Sequence, residues 1–425
     1  MTDTTSDVLT DFALDTQAKT LGDVFTDTKS RFKEGNLGSL PSVLAIITLV
    51  SIFGFANPEA FLTTSNLANL MGQASSVIVI AMAVTFVLLL GEIDLAAGFT
   101  AGVAATVLAT RLAADWPLWS ALLMSSLVAI LLGLYTGYMV ANVGIPSFVV
   151  TLANLLSFQG ILLLLVKDQG TLRIDSQPVK SLVGGSLSPA LSWLCVAIGL
   201  ALYGWSLWRK VATSYGAVPV QLVIIKFTAA AAGSIVVTIL LNRNRAFEKA
   251  KEQGTVIAGI PYVVPAIMVL LLLLTFLLTR TQYGRHLMAV GGNAEAARRA
   301  GINVQRIRLS AFTLCAFIAG IGGIFLASFV DSVDPKTGAN DTLLLAVGAA
   351  VIGGTSLFGG KGRIINAVLG GIVLALIPNG LPLVGTRMVF GLWEIDFSSS
   401  GVKFICAGLA LLAASSVDAL SRKGS

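Results

Sequence analysis

Two carboxylates stand close together in GEIDLAAG, Gly91 to Gly98, directly after a long apolar run, and no basic residue neighbours them in the sequence. A carboxylate in or near hydrocarbon costs about 3 kcal/mol on insertion scales, so Glu92 and Asp94 mark either a pathway or a partner. Carboxylates accept strong hydrogen bonds from hydroxyl groups, those of sugars among them. If a helix breaks at Gly91 inside a bundle, the acids line a solute route. If it breaks at the membrane surface, they cap the next helix and face water. Enzymatic chemistry is poorly supplied. The single histidine is His286, and Cys195, Cys315 and Cys406 lie in apolar runs with neither zinc-like nor disulfide spacing. No nucleophile–base pair or metal cluster is visible, which argues against an enzyme. TSLFGGKG fails as a phosphate loop: Thr355 stands where the first glycine belongs, and Gly362 where Ser or Thr should follow Lys361.

A second stretch, GGNAEAARRAGI from Gly291 to Ile302, is charged and alanine-rich in an otherwise oily chain. Asn293 can cap a helix, Glu295 suits its positive end, and Arg298 and Arg299 suit its last turn. Gly301 can take the left-handed conformation that stops it. The spacing predicts a short helix lying across a bundle, with a small-residue face of Ala294, Ala297 and Ala300 open to docking by another protein.

These residues sit in a chain that is 55% hydrophobic and 12% charged, against about a quarter charged in soluble proteins. The apolar residues form runs long enough to cross a hydrocarbon core of about 30 Å. The fold class is therefore all-α, a polytopic transmembrane bundle of about 10–12 spans. The expected spans are 41–56, 67–90, 95–114, 117–142, 146–166, 189–208, 217–241, 260–279, 308–329, 342–356, 363–380 and 400–417. The glycine-rich pair 342–356 and 363–380 reads as one re-entrant pair or two tilted spans. Residues 1–40 form a polar tail, and 41–420 the membrane domain. The net charge of +6 sits mostly in loops between apolar runs, so no nucleic-acid partner is implied.

The loop 280–308 carries Arg280, Arg285, Arg298, Arg299, Arg306 and Arg308 against one acid, Glu295. Placing it in the cytoplasm puts both termini inside and the acidic segment 330–341 outside. The loop 242–259, with Arg243, Arg245, Lys249 and Lys251, then falls outside and fits poorly. Trp116, Trp119, Trp193, Trp205 and Trp208 lie near segment ends, where indole rings favour the interface. Small residues, as in AGVAATVLA and AGIGGIFLAS, suit close helix packing in lipid.

The stretch EAARRAG, Glu295 to Gly301, fits the EAA-x-x-x-G pattern of the coupling helix of ABC importer permeases. With GEIDLAAG (91–98), IPSFVVTLANLLSFQG (145–160), YGRHLMAVGGNAEAARRAGINVQRIRLSAF (283–312) and VIGGTSLFGGKG (351–362), the chain resembles the permease subunit of monosaccharide ABC importers, the ribose, xylose and galactose class. Its xylose-type subgroup has an acid before the Ile-Asp pair, as Glu92 here, and an extra helical insert near 189–241. The resemblance implies import of D-xylose or a similar pentose across the plasma (inner) membrane. It implies a cytoplasmic coupling helix of Gly292, Asn293, Glu295, Ala296, Ala297, Arg298, Arg299 and Gly301, seated on a separate ABC ATPase subunit that binds ATP and Mg. This chain itself would bind no cofactor. An extracytoplasmic sugar-binding protein and a second permease copy complete the implied assembly, in contact with membrane lipid. Glu92, Asp94, Thr151, Asn154 and Gln159 are candidates for the sugar pathway or gate. The polar residues of TLANLLSFQG serve either that surface or interhelical hydrogen bonds, and Gln159 stands where relatives often carry arginine. Gly353, Gly354, Gly359 and Gly360 suit close backbone packing at a cytoplasmic turn. The competing reading is an ion-gradient-driven secondary transporter, which predicts a basic–acidic relay in the spans; two acids are present, with no intramembrane lysine or histidine expected beside them.

Overall fold

The computed structural model describes residues 39–167, 170–213, 219–246, 252, 254, 256–389 and 393–423. The polar tail expected over 1–40 lies outside the described residues except for its last two, as do Lys249 and Lys251. Each of the twelve apolar runs is a helix. They are α1 (Leu40–Ala56), α3 (Thr64–Leu88), α4 (Ala97–Ala113), α5 (Leu118–Tyr138), α6 (Ser147–Val166), α8 (Pro189–Thr213), α9 (Val220–Leu241), α10 (Val263–Arg280), α13 (Val304–Val330), α14 (Asn340–Ile352), α15 (Ile364–Val384) and α16 (Ser400–Lys423). Between them lie the short helices α2 (Pro58–Phe61), α7 (Gln177–Gly184), α11 (Gln282–Gly292) and α12 (Ala294–Arg299). Among the described residues, eight helices are long and apolar enough to cross a membrane, α5 doing so with the π-helical turn Met139–Val143 that follows it.

Two small antiparallel ladders were not expected from the sequence. β1 (Leu172–Arg173) pairs with β2 (Ser332–Val333), and β3 (Thr386–Val389) with β4 (Trp393–Asp396). Both lie in the connections, where a two- or four-residue strand leaves no legible alternation.

The chain divides into two compact units. One, built on residues 187–260, is the antiparallel pair α8 and α9, where Gly204 receives the ring of Phe227. Within it Arg245 donates to the carbonyls of Leu241 and Gly259, so part of the basic charge in the awkward loop closes that loop's own backbone. Lys226 lies inside α9 and is exposed, so the apolar runs are not free of lysine as expected.

The other unit comprises residues 37–186 and 261–420. Its centre is α3, which has no exposure from Val79 to Val87. A helix apolar on every side belongs in the middle of a bundle. Around it, α13 packs on α3, α4 and α5, while α15 packs on α3, α14 and α1. Helices in lipid gain no hydrophobic driving force from one another, so small residues that permit close approach hold them. A Cβ at Gly323 of α13 would fall 2.0 Å from the Ala101 carbonyl oxygen of α4, and one at Gly320 would fall 2.9 Å from Ala129 of α5. Polar side chains fix the periphery: the amides of Asn66 and Asn379 bond each other at 3.0 and 3.2 Å.

At 27 residues, α13 rises about 40 Å. Its start adjoins α12, and its end leads into the acidic segment 330–341. The two features expected on opposite sides of the membrane are thus at opposite ends of one helix. After α13 the chain turns back into the bundle. Gly338 lies against Gly98, where an added Cβ would be 2.0 Å from the Gly98 carbonyl oxygen, and Thr337 lies equally close to Gly102.

Replacing Gly323 by valine should force α13 off α4 and lower stability by at least the ~1–3 kcal/mol that overpacking costs. Gly160→Ala, at a position with open space, should be neutral or mildly stabilising. Thermal unfolding of the two purified variants in detergent measures the difference; equal midpoints would contradict this packing.

Candidate functional site

The helix α12 forms because its ends are satisfied locally. Asn293, extended at φ −159°, accepts the Ala296 N–H at 2.9 Å. Gly301, at φ +85°, lets the Ile302 N–H reach back to the Ala297 carbonyl at 3.0 Å. This is a glycine-terminated helix end. Asn303 then caps α13 by accepting the Arg306 N–H. Glu295 pairs with Arg298 at 3.1 Å and Arg299 at 3.3 Å, but both arginines are largely exposed. Such pairs are worth about 0.3–0.5 kcal/mol each, so the caps and the buried side, rather than charge, define the helix.

The expected docking face needs correction. Ala297 is 4% exposed and belongs to the bundle core, and Ala294 packs against that core as a partly buried residue. The accessible side is formed by Glu295, Ala296, Arg298, Arg299 and Ala300. Ala294 and Ala297 root the helix; Ala300 and the charged side are what it presents.

Three chain segments meet beneath α12. A Cβ at Gly291, the penultimate residue of α11, would lie 1.7 Å from the Leu89 carbonyl oxygen at the end of α3. The same oxygen accepts the Gly360 N–H at 2.9 Å. A Cβ at Gly359 would fall 2.6 Å from the Gly291 carbonyl oxygen and 2.8 Å from the Gly91 nitrogen. Glycines from GEIDLAAG, from the charged stretch and from the turn 351–362 therefore pack backbone to backbone. Gly353 is equally tight against the Asn366 carbonyl. Gly360 spends its N–H on Leu89, and the turn closes on itself through the Ser356 N–H and the Lys361 carbonyl at 2.9 Å.

The acids have partners the sequence did not show. Glu92 forms an ion pair with Arg308 of α13 at 3.1 Å, with both side chains partly buried. Reading Arg308 only as part of a basic loop hid this contact. Asp94, in the linker 89–96 outside the spanning helices, is 4% exposed. Its Oδ1 accepts the Ala96 N–H at 2.9 Å, and its Oδ2 lies 3.7 Å from the Cys315 thiol. Burial pushes the Asp94 carboxyl up to about 6, partly opposed by the bonds from Ala96, Cys315 and Ala97. Cys315, expected as a plain core residue, thus faces a carboxylate. The linker is also held by α6: Ser147 accepts the Ile93 N–H at 3.4 Å, and Thr151 donates to the Ile93 carbonyl at 3.2 Å. Asn154 donates to Thr136 of α5 at 2.8 Å, while Gln159 sits half-buried further along α6 and away from this cluster. Glu92, Asp94 and Thr151 are thus gathered around one linker. Asn154 is occupied in helix-to-helix bonding.

A family model described as a branched-chain amino acid transport system permease component matches residues 66–393. The chain belongs to this family of transport-system permeases. It is a multi-pass membrane protein and a permease subunit. It is 34% identical over 365 residues to the xylose transport system permease protein XylH of Escherichia coli (strain K12), covering 84% of this chain and 88% of that protein. The XylH protein of Haemophilus influenzae is 30% identical, covering 83% and 92%. The D-allose transport system permease protein AlsC of E. coli (strain K12) is 29% identical, covering 82% and 85%. No solved structure matches the chain.

Two outcomes test this geometry. Gly291→Val should abolish a stable fold around α12, whereas Gly292→Ala, in open space, should be tolerated; limited proteolysis within 291–303 separates them. Asp94 binds its proton more tightly in the fold, about 6 against an ordinary 3.8, so its stabilising share is complete below pH 3.8 and is lost as pH rises through 6. The loss above pH 6 is on the order of 3 kcal/mol. Asp94→Asn should therefore flatten the fall in thermal stability between pH 4.5 and 7.5; an unchanged slope would refute the assignment.

Proposed function

We propose that this chain is the membrane permease of an ATP-driven ABC importer for a monosaccharide, a pentose of the xylose type. The xylose, ribose and allose permeases among its relatives support the substrate class. One observation carries the mechanism: α12 presents a charged, exposed side while its root is fused to α3 and to the turn 351–362 through Gly291, Leu89 and Gly360. A partner gripping Glu295, Arg298 and Arg299 would therefore displace the central helix rather than a free loop. The partner is a separate ATPase subunit, which holds ATP and Mg and carries out hydrolysis. ATP shifts the bundle only through its different contacts with two states.

The basic loop 280–308 supports a cytoplasmic α12, both termini inside, in the plasma (inner) membrane. An extracytoplasmic sugar-binding protein delivers the pentose at the end of α13 that bears Asp331 and Asp334. A second permease copy completes the pathway. In this reading Glu92, Asp94 and Thr151 act at a gate through the linker they hold, with Asn154 keeping α6 on α5. Gln159 gives a weak sugar-facing surface. The relatives give the ion-gradient alternative no support.

Glu295→Ala combined with Gly301→Val should leave membrane insertion intact. The first change removes the anchor for both arginines, and the second places a β-branched residue at a left-handed backbone position. ATP-driven xylose uptake into vesicles, and retention of the ATPase on purification, should both be lost. Uptake by the double variant at the parental rate, or uptake by the parent without ATP, would overturn the proposal.

A further inference from the structure

The helix α12 has two stalks, α11 before it and α13 after it, and both hold the same short piece of chain. On the α11 side, Gly291 bears on the Leu89 carbonyl with no room for a Cβ. On the α13 side, Arg308 forms its ion pair with Glu92 at 3.1 Å. Two turns further along α13, the Cys315 thiol lies 3.7 Å from the Asp94 carboxyl. The linker 89–96 is therefore strapped at Leu89, Glu92 and Asp94 by the two helices that flank α12.

The first half of the linker, Leu89 to Glu92, is still bonded through its N–H groups to the last turn of α3, those of Gly91 and Glu92 at Leu88 and Val87. Beyond them Ile93 relies on the side chains of Ser147 and Thr151. Past Glu92 no helical ladder holds the segment, and that stretch moves with the side chains that grip it and its neighbours. It leads directly into α4, which packs on α13 through Gly323 and receives Gly338 at its first turn.

We propose that Arg308 and Glu92 are positioning residues for transport: their ion pair makes the linker follow α12, so that a pull on the coupling helix reaches the start of α4. This deepens the transport reading above and rests on it for the word transport; the strap itself does not. Other basic residues on the connection, Arg298, Arg299 and Arg306, are exposed. The half-buried Arg308 carries the electrostatic contact to the linker.

Two measurements test it. In the purified permease, Glu92→Gln and Arg308→Gln should each raise amide hydrogen exchange across residues 93–97 at least tenfold, with exchange in α3 unchanged. Unchanged exchange in the linker overturns the strap, whether or not the parent transports xylose. In liposomes holding the assembled permease, ATPase and binding protein, the readout is D-xylose imported per ATP hydrolysed. Both single variants should assemble and hydrolyse ATP but lower that ratio threefold or more. Arg308→Lys, which keeps the charge, and the swap of Glu92→Arg with Arg308→Glu should each return it to within twofold of the parent. A parental ratio in the singles, or a swap no better than the singles, overturns the coupling role. An Arg308→Lys ratio as low as that of Arg308→Gln overturns it as well. A parent that imports no xylose with ATP counts against the transport reading, while linker exchange still decides the strap.

Discussion

The contact between Gly291 and the carbonyl of Leu89 constrains everything near the charged end of the bundle. The two backbones touch, and no residue with a Cβ fits between them. Because the same carbonyl accepts the Gly360 N–H, α3, α11 and the turn 351–362 share one point. Rigid transmission from a surface helix into a membrane bundle needs such a point, since side chains between two backbones would absorb small displacements by changing rotamer.

The interior is organised to match. The buried helix α3 is enclosed by helices whose mutual contacts are made by glycine and alanine, which suits a medium where apolar side chains are equally at ease facing lipid. The long helix α13 connects the charged end to the acidic end. It carries on one body the ion pair to Glu92, the thiol facing Asp94 and the close crossing of α4 at Gly323. Its separation from α4 is fixed by backbone contact at Gly323 and Ala101.

Much of this was legible in the sequence. All twelve apolar runs are helices, and the termini of α12 follow from Asn293 and Gly301, because hydrocarbon length and capping are local rules. The blocks of glycine and acid in GEIDLAAG, GGNAEAARRAGI and VIGGTSLFGGKG were each conspicuous, yet nothing in their spacing says that they meet. Contacts between positions 89, 291 and 360 are set by three-dimensional packing, which one-dimensional periodicity does not carry. The same limit hid Arg308 as the partner of Glu92. It also hid that Ala294 and Ala297 of the expected docking face turn into the bundle, since a small-residue stripe looks the same whether it seats its own core or a partner.

The segment after α13 is seated on α4 by shape alone. Within residues 334–338 the Thr337 hydroxyl donates to the Asp334 carboxylate at 2.9 Å and accepts the Asp334 N–H at 2.8 Å, and the Lys336 N–H bonds the same carboxylate at 3.0 Å. Their hold on Gly98 and Gly102 is steric contact between bare backbones. A segment seated in this way depends on shape rather than on a bonding partner in α4. Its seat is then set by how closely two glycine-bearing stretches approach, a fit that one added methyl group would spoil.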